Sequence, residues 1–138
     1  MAGTIDMQHM RYLNLFEKMT RVSTIRCFKY NETIFFCVPK SFVSKAIGKN
    51  ASNIRQLSSI LNKKIKVIPY SLENQDIRSF IQSIVDPIFF KDVQVEDNEI
   101  ILSATTQSKA SLIGRNKRRL LEMHQIIKDF FGKEFRIV

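Results

Sequence analysis

Two spacings of hydrophobic residues alternate along the chain and predict its helices and strands. Residues 4–19 place their apolar side chains on one broad arc, with polar side chains opposite, which predicts an amphipathic helix. Residues 22–39 then alternate on either side of Asn31-Glu32 and predict a β-hairpin. A two-residue turn pairs Phe28 with Phe35 and fixes the register. The side chains that this register directs to the core are Ile25, Cys27, Ile34, Phe36 and Val38.

The opposite face of this hairpin carries aromatic residues. Phe28 and Phe35 form a cross-strand pair that is either exposed and able to stack on bases, or in contact with the other half of the protein. We favour the contact. Cys27 and Cys37 lie on opposite faces of the hairpin, so we expect reduced thiols and no disulfide between them.

Beyond the hairpin, the pattern predicts a short helix that ends at Gly48 and a second helix that starts at Ser52 or Asn53. A strand at 65–70 follows, and Pro69 suits its end. The side chains that the short helix is expected to bury are Phe42, Val43, Ala46 and Ile47.

The same order of elements then returns. The turn Ile113-Gly114-Arg115-Asn116 repeats Ile47-Gly48-Lys49-Asn50 after 66 residues, and the helix that follows is about one turn longer. The repeat predicts an internal duplication, with one domain at 1–72 and another at 73–138. The predicted elements of the second domain are a helix at 74–85, a hairpin at 88–104 with Val93, Val95, Ile100 and Leu102 inward, a short helix ending at Ile113, a long helix at 117–131 and a strand at 135–138.

Positive charge is concentrated around both glycine turns. The chain has 22 basic and 13 acidic residues, and its net charge is +9. Residues 40–72 carry seven basic side chains and no acidic one, and residues 106–138 carry eight basic and three acidic ones. Two basic blocks with a shared local motif favour a polyanionic partner. A glycine turn followed by helical amides and a cation suits a phosphate, although an ordinary helix corner has the same pattern.

The sequence gives little support to other kinds of function. No apolar stretch approaches the roughly 20 residues of a membrane span, and we see no signal-peptide pattern, so we expect a cytoplasmic protein without a membrane partner. His9 and His124 are expected to be core or boundary histidines. We therefore expect no enzyme, metal or cofactor. A solvated turn is favoured over a divalent-ion site at the acidic residues of the second hairpin, which are Asp92, Glu96, Asp97 and Glu99.

The order of elements and the two glycine turns resemble the tandem type II KH domains of archaeal NusA-like transcription factors. The resemblance implies an α+β fold of two KH domains, each a three-stranded sheet covered by helices on one face. In that family each domain carries an Ile-Gly-x-x-Gly turn; here Ala51 and Lys117 stand in place of the second glycine. The segments that carry the resemblance are 13–20, 46–53, 65–70, 112–116 and 131–138.

A KH domain holds about four nucleotides of single-stranded RNA between its turn and a hydrophobic groove. The resemblance therefore implies RNA at both turns, with phosphate contacts from Lys49 and Arg115. The first half is expected to hold RNA more faithfully, and the second more by charge and with less base selectivity. The groove floor is assigned to Ile47, Ile54, Ile65 and Val67, and in the second half to Ile113, Leu120 and Phe135. The predicted RNA-binding residues are Ile47, Gly48, Lys49, Asn50, Ala51, Ser52, Asn53, Arg55 and Lys66, then Ile113, Gly114, Arg115, Asn116, Lys117, Arg118 and Arg119.

The leading hypothesis is a non-catalytic factor that holds nascent single-stranded RNA during transcription elongation, termination or antitermination. The resemblance implies RNA polymerase as its protein partner, and we expect a monomer. Two alternatives stay open. One is a KH protein associated with ribosomes or RNA processing. The other is a protein-interaction scaffold that works through the Phe28/Phe35 pair and the acidic hairpin.

Overall fold

The computed structural model describes residues 7–24, 26–71 and 75–138. The predicted order of helix, hairpin, two helices and strand is present in both halves. The elements of the first half are α1 (Met7–Thr20), β1 (Arg26–Tyr30), β2 (Thr33–Val38), α2 (Val43–Ile47), α3 (Ser52–Leu61) and β3 (Lys64–Pro69). Those of the second half are α4 (Ile77–Val85), β4 (Asp92–Val95), β5 (Glu99–Ser103), α5 (Thr106–Ile113), α6 (Arg118–Phe131) and β6 (Glu134–Ile137).

The strands form two separate three-stranded sheets, ordered β1-β2-β3 and β4-β5-β6. Each hairpin is antiparallel, and the last strand of each sheet runs parallel to the second strand of the hairpin. A parallel neighbour requires a crossover, which the two helices between the strands supply. The predicted register of the first hairpin is confirmed, since Phe28 pairs with Phe35 and Cys27 with Phe36.

The first sheet buries one face under the helices around it. Phe16 of α1 stacks on Phe36 of β2 with ring centroids 4.3 Å apart, which anchors the amphipathic helix as predicted. Ile25 lies outside the described residues, and Cys27 is half-buried at the edge of this core. The remaining members of the core are Val22, Ile34, Val38, Ala46, Leu57 and Val67.

The opposite face of the first sheet is also buried. Phe28 and Phe35 stack with centroids 5.1 Å apart and are only 8% and 2% exposed. Phe80, at the start of α4, approaches Phe28 at 6.3 Å and Tyr70 at 5.7 Å. Helices cover one face of this sheet as expected, but aromatic rings cover the other, so the interpretation of Phe28 and Phe35 as an exposed surface is wrong.

The second sheet has a core of its own. Val95 is 49% exposed, although the alternation predicted it inward, because it lies at the end of the edge strand β4 beside the hairpin tip. Phe42 is likewise 45% exposed, because it precedes α2 in a single 3₁₀ turn and is out of phase with the helix. The buried apolar side chains of this part of the chain are Ile81, Ile84, Val85, Phe90, Ile100, Ile101, Leu102, Leu112, Met123, Ile126, Ile127 and Phe135.

The described residues divide into two compact units, 7–80 and 81–138. Helix α4 begins in the first unit and ends in the second, and the proposed domain boundary between residues 72 and 73 stays a prediction. Helix α6 has 14 residues and α3 has 10, which confirms the extra turn. Across the three described ranges, no helix has the length and apolar character that a bilayer crossing needs.

Candidate nucleic-acid interface

The first turn comprises residues 48–51 and joins α2 to α3. Gly48 has φ 83° and ψ 167°, a region that only glycine occupies readily, and its amide closes α2 by donating to the carbonyl of Ser44 at 3.0 Å. Asn50 and Ala51 then both take left-handed conformations, with φ of 55° and 58°. The chain thereby reverses within four residues, and α3 starts at Ser52.

The second turn, residues 114–117, repeats this backbone. Gly114 has φ 75° and ψ 173°, and Asn116 and Lys117 have φ of 56° and 60°. The amide of Lys117 donates to the carbonyl of Gly114 at 3.2 Å, as the amide of Ala51 donates to that of Gly48 at 3.1 Å. Different side chains therefore produce the same turn in both halves.

Each glycine is also required by space. A Cβ added to Gly48 would lie 2.8 Å from Oγ of Ser52, and one added to Gly114 would lie 3.0 Å from Cγ of Arg119. Real Cβ atoms essentially never approach a neighbour as closely as 2.8 Å, and 3.0 Å is tighter than nine in ten of their contacts, so the helix after each turn packs directly on the glycine.

The position of the missing second glycine has a positive φ in both halves. Ala51 and Lys117 both occupy the left-handed region, where a residue with a Cβ costs about 1–2 kcal/mol relative to the right-handed one. Glycine is favoured at such a position for this reason. The two substitutions therefore keep the turn but add strain to it.

One side chain in each half braces the turn against the preceding helix. Nδ2 of Asn53 donates to the carbonyl of Lys45 at 3.3 Å. At the position 66 residues later, Nη1 of Arg119 donates to the carbonyl of Ser111 at 3.0 Å. Arg119 is among the predicted RNA-binding residues, and the structure gives its guanidinium this contact within the protein.

Polar groups remain available on the outside of both turns. The amides of Lys49 and Asn50 make no turn or cap hydrogen bond within the described chain, and neither do those of Arg115 and Asn116. The predicted site residues with exposed side chains are Lys49, Asn50, Ser52, Arg55, Arg115, Asn116, Lys117 and Arg118. The half-buried ones are Ile47, Gly48, Ala51, Asn53, Lys66, Ile113, Gly114 and Arg119.

A cavity of about 420 Å³ lies between α3 and β3; we call it the first groove. Its floor includes Ile54 and Ile65, as predicted, whereas Val67 is only 8% exposed and belongs to the core. The full lining is Thr33, Ile54, Arg55, Ser58, Lys64, Ile65 and Lys66.

Sequence reasoning missed three of these lining residues, Thr33, Ser58 and Lys64. Thr33 and Lys64 face each other as the first residue pair of strands β2 and β3. Thr33 and Lys64 lie side by side because of the register between the parallel strands β2 and β3, and the sequence around neither residue predicts that register. Lys66 reaches the opposite face of the sheet with Nζ 5.8 Å from the ring centroid of Phe35.

In the second half, the predicted groove floor is less open. Phe135 is 6% exposed and belongs to the core, and Leu120 is half-buried. His124 is half-buried at the boundary, and its Nε2 is 3.2 Å from Oε1 of Glu134. Oε2 of the same carboxylate accepts from Nζ of Lys128 at 2.8 Å, and these two contacts lower the pKa of Glu134 below its ordinary value.

The tip of the acidic hairpin is tied into the protein. Nζ of Lys133 donates to the carbonyls of Glu96 and Asp97 at 2.6 and 2.8 Å, and Arg136 pairs with Glu99 at 3.2 Å. No cluster of three or more metal-ligating side chains occurs in the described ranges.

The two cysteines are separate, as predicted. Cys27 and Cys37 are both free thiols, and burial raises the pKa of Cys37 far above its usual range. The buried thiol is therefore inert at neutral pH.

Comparison with known proteins gives a consistent picture. The "Probable transcription termination protein NusA" of Methanococcus vannielii is 37% identical over 84 residues, which is 61% of this chain and 47% of that protein. The proteins of the same name from Methanocaldococcus jannaschii and Thermoplasma acidophilum are 28% and 22% identical and cover 84% and 97% of this chain. The chain is therefore similar to archaeal proteins named NusA.

This NusA-like chain spans about half the length of the M. vannielii protein and 64% of the M. jannaschii protein, but 91% of the T. acidophilum one. Among solved structures, the crystal structure of APE1850 matches 97% of the chain with a TM-score of 0.70 and 22% identity, which shows a shared fold. No family model matches the sequence. The NusA-like resemblance predicted from the sequence is confirmed by the relatives.

Proposed function

We propose that this NusA-like protein is a non-catalytic factor with two tandem type II KH domains that binds single-stranded RNA at its two glycine turns. The observation that carries the proposal is the repeated turn backbone, which has the same dihedral angles in both halves and lies in the two most basic blocks of the chain. A helix corner that binds no ligand would not require the same strained backbone in both halves of the chain.

The first turn suits a sugar-phosphate backbone. Gly48 has no side chain, so a phosphate can approach the turn closely, and the amides of Lys49 and Asn50 lie at the start of the reversal. The N-terminus of α3 adds a partial positive charge, and Lys49 adds a full one. The same groups recur at the second turn, with Arg115 in place of Lys49.

The first groove suits a base beside that phosphate. Ile54 and Ile65 offer apolar surface to the flat face of a base. Thr33 and Arg55 offer hydrogen-bonding groups to its edge. A cavity of about 420 Å³ is large enough for one or two nucleotides, consistent with the limited footprint of a KH domain.

The RNA is proposed to be nascent RNA, because each of the relatives above bears the name of a transcription termination protein. The role in this proposal is in elongation, termination or antitermination, with RNA polymerase as the protein partner. The names favour this role over ribosomal or processing roles. The scaffold alternative is weakened because the Phe28 and Phe35 rings on which it depends are both buried.

A titration of labelled single-stranded RNA at several salt concentrations tests RNA binding. We expect Lys49→Glu and Arg115→Glu each to reduce the slope of log Kd against log salt by about 0.7 for every phosphate that the native side chain neutralises. Each change should weaken binding about tenfold at low salt, because a charge-assisted hydrogen bond is replaced by repulsion.

Lys18→Glu is the matched control, since it changes the net charge equally at an exposed position on α1. The proposal fails if the wild type does not bind at low salt, or if Lys18→Glu is as harmful as the two turn variants. Co-purification with RNA polymerase, rather than with ribosomes, distinguishes the transcriptional role.

A further inference from the structure

The first groove has a structural counterpart in the second half. β3 pairs with β2 from Thr33 and Lys64 onwards, and β6 pairs with β5 from Glu99 and Glu134 onwards. The helices correspond at the 66-residue offset of the turns, which places His124 where α3 has Ser58. Register and offset together assign a counterpart to every lining residue of the first groove.

Three of the counterparts differ in chemistry from the first groove. Where the first groove has a hydroxyl and an ammonium group, at Thr33 and Lys64, the second half has the carboxylates of Glu99 and Glu134. Arg55 is replaced by Leu121, which is 63% exposed and cannot bind a phosphate or a base edge. The counterpart of Lys66 is another cation, Arg136, and it is paired with Glu99.

Ion pairs also close the second surface. Glu134 of β6 reaches His124 at 3.2 Å and Lys128 at 2.8 Å, which joins the strand to α6. Glu99 of β5 pairs with Arg136 of β6 at 3.2 Å. These contacts place charged pairs along β6 at positions that correspond to the lining of the first groove.

We propose that the second groove is closed to RNA bases, so that the chain reads bases with the first groove alone and contacts only phosphate at the second turn. This inference rests on the proposed RNA-binding function. The closing residues are Glu99 and Glu134. Their carboxylates repel phosphate; the contact of Glu134 with Lys128 joins β6 to α6, and Glu99 pairs with Arg136 of β6.

Photocrosslinking of the full chain tests the inference directly. A single-stranded RNA of about 12 nucleotides that contains 4-thiouridine exceeds the footprint of one KH domain and reacts where a base touches protein. We expect crosslinked peptides from 52–69 and none from 118–137, while both Lys49→Glu and Arg115→Glu lower the salt slope. Equal crosslinking of both regions overturns the inference and leaves RNA binding intact. Absence of RNA binding in the salt titration overturns the proposed function itself.

Two exposed substitutions provide a second test. Affinities for four homopolymeric single-stranded RNAs measure base preference as the ratio of the tightest to the weakest. Lys64→Glu should reduce this ratio about threefold or more, since it removes one hydrogen-bond donor from the groove. Glu134→Gln keeps the shape of the native residue but removes its charge and weakens its contact with Lys128, so it should open the second groove and add crosslinked peptides from 118–137. If peptides from 118–137 stay absent in this variant, Glu134 is not a closing residue and the inference is overturned; circular dichroism checks that both variants fold.

Discussion

The two turns of this protein have one backbone and two sets of side chains. At the first, third and fourth positions of the turns, residues 48, 50 and 51 against 114, 116 and 117, the corresponding φ and ψ differ by less than 10°. Yet the fourth position is Ala51 in one and Lys117 in the other, and the brace is Asn53 in one and Arg119 in the other. The fixed parts are the glycine, the asparagine and the two packed helices, so these determine the turn.

The grooves beside the turns differ far more. The first has a hydroxyl, an arginine and a lysine at its mouth, and the second has two carboxylates held in ion pairs. A duplicated fold thus keeps the part that suits a phosphate in both copies. In our proposal, only the first copy also keeps a groove open to a base.

The largest expected effect comes from replacing either turn glycine. Gly48→Ala and Gly114→Ala should each lower the free energy of unfolding by about 2–4 kcal/mol, because the glycine-only dihedrals and the close Cβ contacts both add cost. Urea denaturation measures it. Gly132→Ala is the matched control. It also has a positive φ but no atom within 4 Å of the added Cβ, and it should cost only about 1 kcal/mol. Equal costs at all three positions would show that space at the turns does not matter.

The braces give the next effect. Arg119→Ala should lower the free energy of unfolding by about 1 kcal/mol because it removes the hydrogen bond to Ser111, whereas Arg119→Asn should recover most of it, as Asn53 does in the first half. RNA affinity and salt slope should change little in Arg119→Asn. A slope that falls by about 0.7 would instead make Arg119 a phosphate contact.

Placing the second glycine at position 51 or 117 should change stability less than the variants above, and the two changes should differ in their effect on RNA binding. Ala51→Gly and Lys117→Gly should each raise stability by at most about 1 kcal/mol, since relief of left-handed strain is partly offset by the entropy of glycine in the unfolded chain. Ala51→Gly should keep RNA affinity. Lys117→Gly removes an exposed charge and should weaken binding at low salt. If both glycine variants were less stable than the wild type, the left-handed conformation would not strain Ala51 and Lys117.

The smallest effect is a pH dependence confined to the second half. The pKa of Glu134 is lowered in the folded protein by its contacts with Lys128 and His124. The stabilisation is therefore present above the ordinary carboxylate pKa and is lost as pH falls through the lowered folded value. Wild type should melt slightly higher than Glu134→Gln at pH 7, and the two should converge once the pH has fallen through the lowered pKa of Glu134. A difference in melting temperature between wild type and Glu134→Gln that persists in acid would contradict the ion-pair explanation. Lys64→Glu, a change in the first half, should leave the pH dependence of stability unchanged.

Local signals were sufficient for most of the fold. The two-residue turn at Asn31-Glu32 and the alternation around it fixed the pairing of Phe28 with Phe35. Glycine placement located both turns, because few residues other than glycine end a helix in this way. Val95 and Phe42 were misplaced since periodicity assumes an ideal strand or helix, and each lies at the end of an irregular segment.

The site was less predictable. Neither alanine nor lysine signals a positive φ, so the strain at Ala51 and Lys117 was not visible in the sequence. The role of Arg119 as a brace was hidden as well, because a basic residue beside a basic turn suggests a phosphate contact. Whether Arg119 braces the turn or contacts a phosphate depends on its hydrogen bond to the carbonyl of Ser111, eight residues earlier in the chain.

The sequence by itself determined the duplication, the order of the elements, the two glycine turns and the basic blocks around them. These follow from short-range rules of spacing, glycine conformation and charge. Only the tertiary structure decided that Phe28 and Phe35 are buried, that the residues in place of the second glycines adopt positive φ, and that Glu99 and Glu134 are held in ion pairs in the second half. Each of these depends on contacts between residues far apart in the chain. Strand register and packing determine such contacts, and a local sequence pattern does not encode them.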